Sequence, residues 1–371
     1  MEADEALIYL AACAVNETVP DTQIINELQS RYDLLKDLFN LSKEQQMTAL
    51  IAYALLRGGI QNESFEKYRR QSAFMECTLD LDREMVLGEM EKAGIWYAPV
   101  KGIVLKELYP ETGMRQMADN DILFDADHAE ELRTIMESMG FVTDTYDRNH
   151  HDVYVKPPIS TFEMHRDLFM NLDAYELYYH YFHCIKNRLL KDENNAFGYH
   201  FSNEDFYIYM IAHGYKHQSY RGTGLRTLLD IYVYMKKYES TLDWNYIRQE
   251  LEKLKLAEAE EKNRKLALKV FSGSSAEISR DLTKDEKYLL NDFLRYGAYG
   301  TEEHIKKVYI DHAGRSRYLR TRIFLSKELV EEYYPFFHKH KILLPFLPFY
   351  RLIARRNSAK REINMFWKKY K

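Results

Sequence analysis

Apolar positions recur at helical spacing along the first 93 residues. Asp21 stands where it can cap a helix carrying Ile24, Ile25, Leu28, Leu34, Leu35, Leu38 and Phe39. Ser42 followed three residues later by Gln45 has the capping-box pattern and predicts a second start, with Met47, Leu50, Ile51, Ala54 and Leu55 as the apolar face and Gly58-Gly59 as the stop. A longer helix is predicted from about Glu63 to Lys92, ended by Gly94. Residues 1–93 therefore read as a helical region.

The pattern changes at Ile95. Ile95 to Val100 is a short apolar run ending in Lys101-Gly102 and reads as a buried strand. Ile103 to Tyr109 predicts a short helix broken by Pro110, and Asp121-Ile122-Leu123-Phe124 a second strand. Asp127 is expected to cap a helix through Met139, which Gly140 stops. Phe141 to Thr145 and Val153 to Lys156 look like hairpin strands, and Thr161 to His165 like one more. Beyond Asp173 helical spacing returns: Ser202 can cap a helix with Phe206, Met210, His213 and His217 on one stripe, and Leu225–Tyr238, Trp244–Leu256 and Glu258–Phe271 follow. The expected fold class is α+β, with a small mixed sheet at 94–200 between helix-rich regions at 1–93 and 201–371.

Composition narrows the class. The chain has 371 residues, 46% hydrophobic and 29% charged, enough for real cores. A net charge of −5 argues against a surface that grips nucleic acid throughout, and a nucleic-acid partner is not expected. Cys13, Cys77 and Cys184 are odd in number and widely spaced, so a disulfide framework and a zinc knuckle are not expected, and all three read as small buried hydrophobes. No run approaches the ~20 apolar residues of a membrane span. The apolar run Leu7–Val15 follows Glu2, Asp4 and Glu5, where a secretory signal would carry positive charge, and a cytoplasmic protein is expected. From Pro335 onward there are ten Lys or Arg against one acid, Glu362. That tail reads either as a last helix with one packed and one solvated side or as a patch for a membrane surface or anionic acceptor.

The densest chemistry lies between Lys101-Gly102, Arg115 and Asp119-Asn120-Asp121. Acids at i and i+2 on a strand share a face, and such a pair suggests a divalent cation. A glycine in a strand-to-helix turn lets backbone N–H groups approach phosphate, and Lys101 and Arg115 add positive charge. A third carboxylate is expected from a neighbouring strand. Glu163 is the candidate: it alternates with Phe162 and Met164 and shares its face with His165.

Lys101-Gly102, Leu108-Tyr109-Pro110, Arg115, the Asp119/Asp121 pair and Glu163-Met164-His165 together resemble an uncharacterised bacterial nucleotidyltransferase family of the DNA polymerase β-like superfamily, and the similarity extends through His213-Gly214-Tyr215-Lys216-His217 and Leu225–Asp230. The resemblance implies a catalytic core at 94–200, Mg²⁺ (or Mn²⁺) held by Asp119, Asp121 and Glu163, and transfer of a nucleoside monophosphate from an NTP such as ATP to an unidentified acceptor, with release of pyrophosphate. It implies nucleotide contacts from Lys101, Gly102, Arg115 and Lys216, and acceptor or supporting roles for His165, His213 and His217.

His213, Lys216, His217 and Tyr220 fall on one helix face at i, i+3, i+4 and i+7. They read as a satisfied core network, as a zinc pair lacking an evident third ligand, or, by the resemblance, as a face closing over the site with Lys216 on phosphate. Arg226 and Asp230 read as an i, i+4 ion pair. Three look-alikes are set aside: His165-Arg166-Asp167-Leu168 mimics a kinase loop, His150-His151-Asp152 a phosphohydrolase pair, and Asp125/Asp127 a second acid pair explained by helix capping. A different class of function is a catalytically silent nucleotide- or partner-binding member of the fold, supported by Ile103, where serine or glycine is usual, and by Asn120, where an apolar residue is usual.

Overall fold

The computed structural model describes residues 1–147, 150–171, 175–220, 222–273, 281–297, 330 and 334–354. The chain divides into two compact units, Met1–Thr301 and Glu302–Lys371.

In the first unit the helix α1 (Ala3–Asn16) is buried continuously from Ala6 to Val15, as expected of a helix that is apolar all round. It packs against α3 (Tyr32–Glu44), α4 (Thr48–Arg57) and, from the other end of the sequence, α12 (Ala257–Phe271). Helices from before and after the sheet thus share one core. Asp21 caps α2 (Thr22–Ser30) as predicted, its carboxylate accepting from the Gln23 N–H, but the helix expected to continue through Phe39 breaks at the extended Arg31 and resumes as α3. The capping box at Ser42 does not form. Ser42 lies inside α3, where its hydroxyl bonds the Phe39 carbonyl and the Thr48 hydroxyl. Buried Gln45 instead spans to distant chain, donating to the Leu294 carbonyl and accepting from the Leu225 N–H. These tertiary bonds outcompete the local cap.

The long helix α5 (Glu63–Ala93) begins at Asn62, whose side chain accepts from the Ser64 and Phe65 N–H groups, and ends at Gly94 in the left-handed conformation. It backs a five-stranded sheet of β1 (Tyr97–Pro99), β2 (Asn120–Phe124), β3 (Val142–Thr145), β4 (His151–Lys156) and β5 (Ser160–His165), in the order β1-β2-β5-β4-β3. The β2–β5 pair is parallel and the others are antiparallel. Between β1 and β2 comes the short α6 (Gly102–Lys106), and between β2 and β3 comes α7 (Ala129–Ser138). The carboxylate ahead of α7 that accepts a backbone bond is Asp125, from the Asp127 N–H, rather than Asp127.

Strand alternation divides the sheet into two faces. Ile122, Phe124, Tyr154, Phe162 and Met164 form a core with Leu79, Val86 and Met90 of α5 and Leu132 and Met136 of α7. Asn120 belongs to this side: its Nδ2 donates to the Leu79 carbonyl and its Oδ1 accepts from Arg83. Asp121, Glu163, His165 and His151 alternate with that set and occupy the opposite face.

After the sheet come α8 (Glu176–Phe182), a ribbon of β6 (Leu190–Lys191) and β7 (Tyr199–His200), then α9 (Asn203–Tyr220), α10 (Leu225–Tyr238), α11 (Trp244–Lys253), α12 and α13 (Lys284–Tyr296). The Ser202 hydroxyl accepts from the Asp205 N–H at the start of α9, as predicted. Cys13 is buried, whereas Cys77 and Cys184 are exposed, against the expectation of burial for all three. No helix among the described residues is long and apolar enough to cross a membrane.

In the second unit the described residues form a helix Pro335–Lys339, a 3₁₀ turn Lys341–Phe346 and a helix Leu347–Ala354. Ile342 is 90% exposed and Phe346 is 61% exposed. The basic tail beyond Ala354 lies outside the described residues.

Candidate active site

Where β1 hands over to α6, Lys101 adopts φ 53°, ψ −121°, a conformation uncommon for a residue with a side chain and one that collects at functional sites. A Cβ on Gly102 would come within 2.9 Å of Arg115 Nη1 and of Met117 Sδ, so any larger residue there displaces those side chains. The Val100 N–H donates to the Asp121 carbonyl, fixing this turn against β2.

The turn aims the Lys101 ammonium at the polar face of the sheet. Its Nζ lies 2.5 Å from Asp121 Oδ1, 3.5 Å from Glu163 Oε2 and 3.2 Å from His165 Nε2. Asp121 and Glu163 are Cα partners across the parallel β2–β5 pair, so their carboxylates meet by register rather than by chance. His165 Nε2 is 2.9 Å from Asp121 Oδ1. Among the described residues, two groups of three side chains converge as metal ligands would: Asp121–Glu163–His165 and His150–His151–His165, each with atoms within 4.8 Å of one another. Asp119 belongs to neither group, although it is close enough to Asp121 for the two charges to interact.

Burial and charge split the acids. Burial opposes ionisation of Asp121, but Lys101 and His165 override it and hold the carboxyl well below the usual carboxylate range. Glu163 goes the other way: burial, eased by Lys101 and reinforced by Asp121, pushes it up to about 7. Asp119 is raised to about 6 by burial and by Asp121. His165, buried beside Lys101, falls to about 3 and is neutral. The oxygen donors of Asp121 and Glu163 suit Mg²⁺.

A cavity of about 450 Å³ opens over this face, bounded by Lys101, Gly102, Asp119, Asp121 and Glu163 on one side and by Tyr209, His213, His217 and Arg226 from α9 and α10 on the other. Arg115 reaches its wall but is engaged from within. Its Nε and Nη2 grip the two oxygens of Asp230 at 2.9 and 3.0 Å, and the Tyr109 hydroxyl donates to the same carboxylate at 2.8 Å. Asp230 thus receives Arg115 and Tyr109 where helix spacing had suggested Arg226. Arg226 donates to the Gln116 carbonyl. Both contacts fasten the 115–119 segment to α10.

The helix face bearing His213 is only partly gathered at the site. His213 and His217 border the cavity and share one contact, Nε2 to Nε2 at 3.0 Å. Burial holds His213 well below its ordinary value, so it is neutral. The Lys216 ammonium lies over the rings of Phe169 and Tyr175, at 5.5 and 5.3 Å from their centroids. The Tyr220 side chain lies outside the described residues. Sequence reasoning missed His150 and His151, whose rings lie 5.5 and 5.1 Å from that of His165. The signal was present in the alternation of β4, which puts His151 on the same face as Glu163 once β4 pairs with β5.

A family described as "uncharacterised nucleotidyltransferase" matches residues 35–272, well over half of the chain and all of the sheet, the cavity and its helical wall. No curated protein and no solved structure matches the chain. The extent of the family match decides the assignment: the chain belongs to this nucleotidyltransferase family.

Proposed function

We propose that the protein transfers a nucleoside monophosphate from an NTP to a hydroxyl-bearing acceptor, with release of pyrophosphate. The observation that carries this reading is the cross-strand meeting of Asp121 and Glu163 on the cavity face of the sheet, with Asp119 two residues before Asp121. Asp119, Asp121 and Glu163 would hold Mg²⁺, which when bound supplies charge neutralisation for the triphosphate and the attacking oxygen.

The remaining roles fall to the chain itself. Lys101 and Arg226 border the cavity and offer positive charge to the phosphates. Glu163 takes the proton of the acceptor hydroxyl as its oxygen attacks the α-phosphorus. The bond from that phosphorus to the bridging oxygen breaks in line, and the electron pair leaves with pyrophosphate. The Arg115–Asp230 pair holds the segment that carries Asp119. The acceptor enters from the side of His213 and His217.

A second reading, nucleotide binding without transfer, is favoured by one feature: Lys101 already places a cation between Asp121 and Glu163. Melting the protein with a panel of NTPs, with and without Mg²⁺, separates the two. Stabilisation that requires the metal, followed by pyrophosphate release that Asp121→Asn abolishes, supports transfer. Metal-independent stabilisation without pyrophosphate release supports the second reading.

A further inference from the structure

We propose that His150, His151 and His165 form a second metal site, selective for a divalent transition-metal ion of the zinc type. His151 and His165 are Cα partners in the antiparallel β4–β5 pair, so register places both imidazoles on one face, and His150 adjoins them at the strand entrance. The three ring centroids are 4.5, 5.1 and 5.5 Å apart, and each ring offers a nitrogen within 4.8 Å of the other two.

The hydrogen bonding of the rings is incomplete in a consistent way. Nδ1 of His150, of His151 and of His165 is buried without a hydrogen-bond partner. A buried polar atom left unpaired costs about 1–3 kcal/mol, so three in one cluster call for a ligand. The opposite edges of two rings face carboxylates: His165 Nε2 is 2.9 Å from Asp121 Oδ1 and His151 Nε2 is 4.0 Å from Glu163 Oε1. A carboxylate behind the non-ligating nitrogen is the usual support of a metal-bound histidine. Lys101 and Lys216 bring positive charge to these rings, Asp121 and Asp152 offset it, and Glu163 lies within 4.0 Å of His151.

Three nitrogen donors suit Zn²⁺ and disfavour Mg²⁺, which seeks oxygen. The site is therefore separate in metal class from the carboxylates beside it, and the proposal does not depend on nucleotidyl transfer.

The test titrates Zn²⁺ into the metal-stripped full-length protein in excess Mg²⁺, by calorimetry, and repeats the titration with Co²⁺ while reading its visible absorption. One equivalent of Zn²⁺ and a tetrahedral Co²⁺ spectrum are expected. His150→Asn together with His151→Asn should weaken Zn²⁺ at least 100-fold and abolish the spectrum, while His213→Asn with His217→Asn leaves both intact. His150→Asn alone, with a metal-free melt equal to wild type, should lower affinity at least tenfold and guards against a folding defect in the double variant. Absence of Zn²⁺ binding to the wild type, or unchanged affinity in the His150/His151 variants, would overturn the proposal.

Discussion

Lys101 Nζ lies 2.5 Å from Asp121 Oδ1, and this contact joins the strained turn after β1 to the strand that carries the acids. A lysine held at positive φ is costly, and a buried aspartate without a counter-ion is costlier, so each accounts for the other. The same ammonium reaches Glu163 across the sheet. The protein thus holds its carboxylate face together with a cation of its own.

Removing that cation tests the relationship directly. Lys101→Met preserves the stem and deletes the charge, leaving Asp121 and Glu163 to face each other. Breaking a buried pair from one side costs about 3–5 kcal/mol, and the metal-free variant is expected to unfold at correspondingly lower urea. Mg²⁺ should then stabilise the variant more than it stabilises the wild type, because the ion supplies the missing charge. A melt indistinguishable from wild type would show that the pair contributes nothing.

Glu163 gives a pH signature with a definite sign. Its value in the folded protein, about 7, lies above the ordinary 4.5, so between those values the native state holds a proton that the unfolded chain has lost. Stability contributed by this group therefore falls as pH rises from about 4.5 to 7, and is level beyond. Glu163→Gln lacks the titration. Relative to wild type, the variant should gain stability across that window, by on the order of 1–3 kcal/mol, and hold the gain at higher pH. Urea unfolding of both proteins at several pH values, without metal, measures the difference. A difference that does not change with pH would place Glu163 in a solvated setting.

The parts of this architecture that were legible in the sequence are those set by local pattern. The stops at Gly58 and Gly94, the caps at Asp21 and Ser202, and the alternation that puts Glu163 and His165 on one face all follow from nearest neighbours in the chain. What escaped depends on partners that only the fold brings together, two of them more than a hundred residues away. Asp230 looked like the helical partner of Arg226 until the fold brought Arg115 and Tyr109 to it. Gln45 looked like half of a capping box until α10 and α13 arrived to use its amide. His150 and His151 were discounted as a short motif, and only strand pairing reveals that they stand beside His165.

The Arg115–Asp230 pair should behave as a clamp. Both groups are buried, and the fork-to-fork geometry is one that lysine cannot reproduce. Arg115→Lys is expected to lose about 3 kcal/mol or more, since the second hydrogen bond and the Tyr109 arrangement both depend on the guanidinium. Asp230→Asn should be similarly destabilised, and the double change Arg115→Met with Asp230→Leu should recover much of the loss, as apolar replacement of a buried pair often does. Denaturant curves for the three variants decide the point. If the single substitutions unfold like wild type, Arg115 is free to serve another purpose.

Asn120 stands between the two acids, and its contacts keep its side chain clear of the cavity. Its side chain points away from the cavity face and binds the Leu79 carbonyl in the middle of α5 and the guanidinium of Arg83. Asn120→Ala removes two bonds that tie β2 to α5 and leaves polar groups buried without them. A loss of about 1–3 kcal/mol is expected on unfolding. NTP binding measured well below the melting temperature should stay at the wild-type level, because β2 still presents Asp121 to Glu163. Asn120→Ala binding NTP much more weakly while retaining full stability would reverse this assignment and put Asn120 on the side of the ligand.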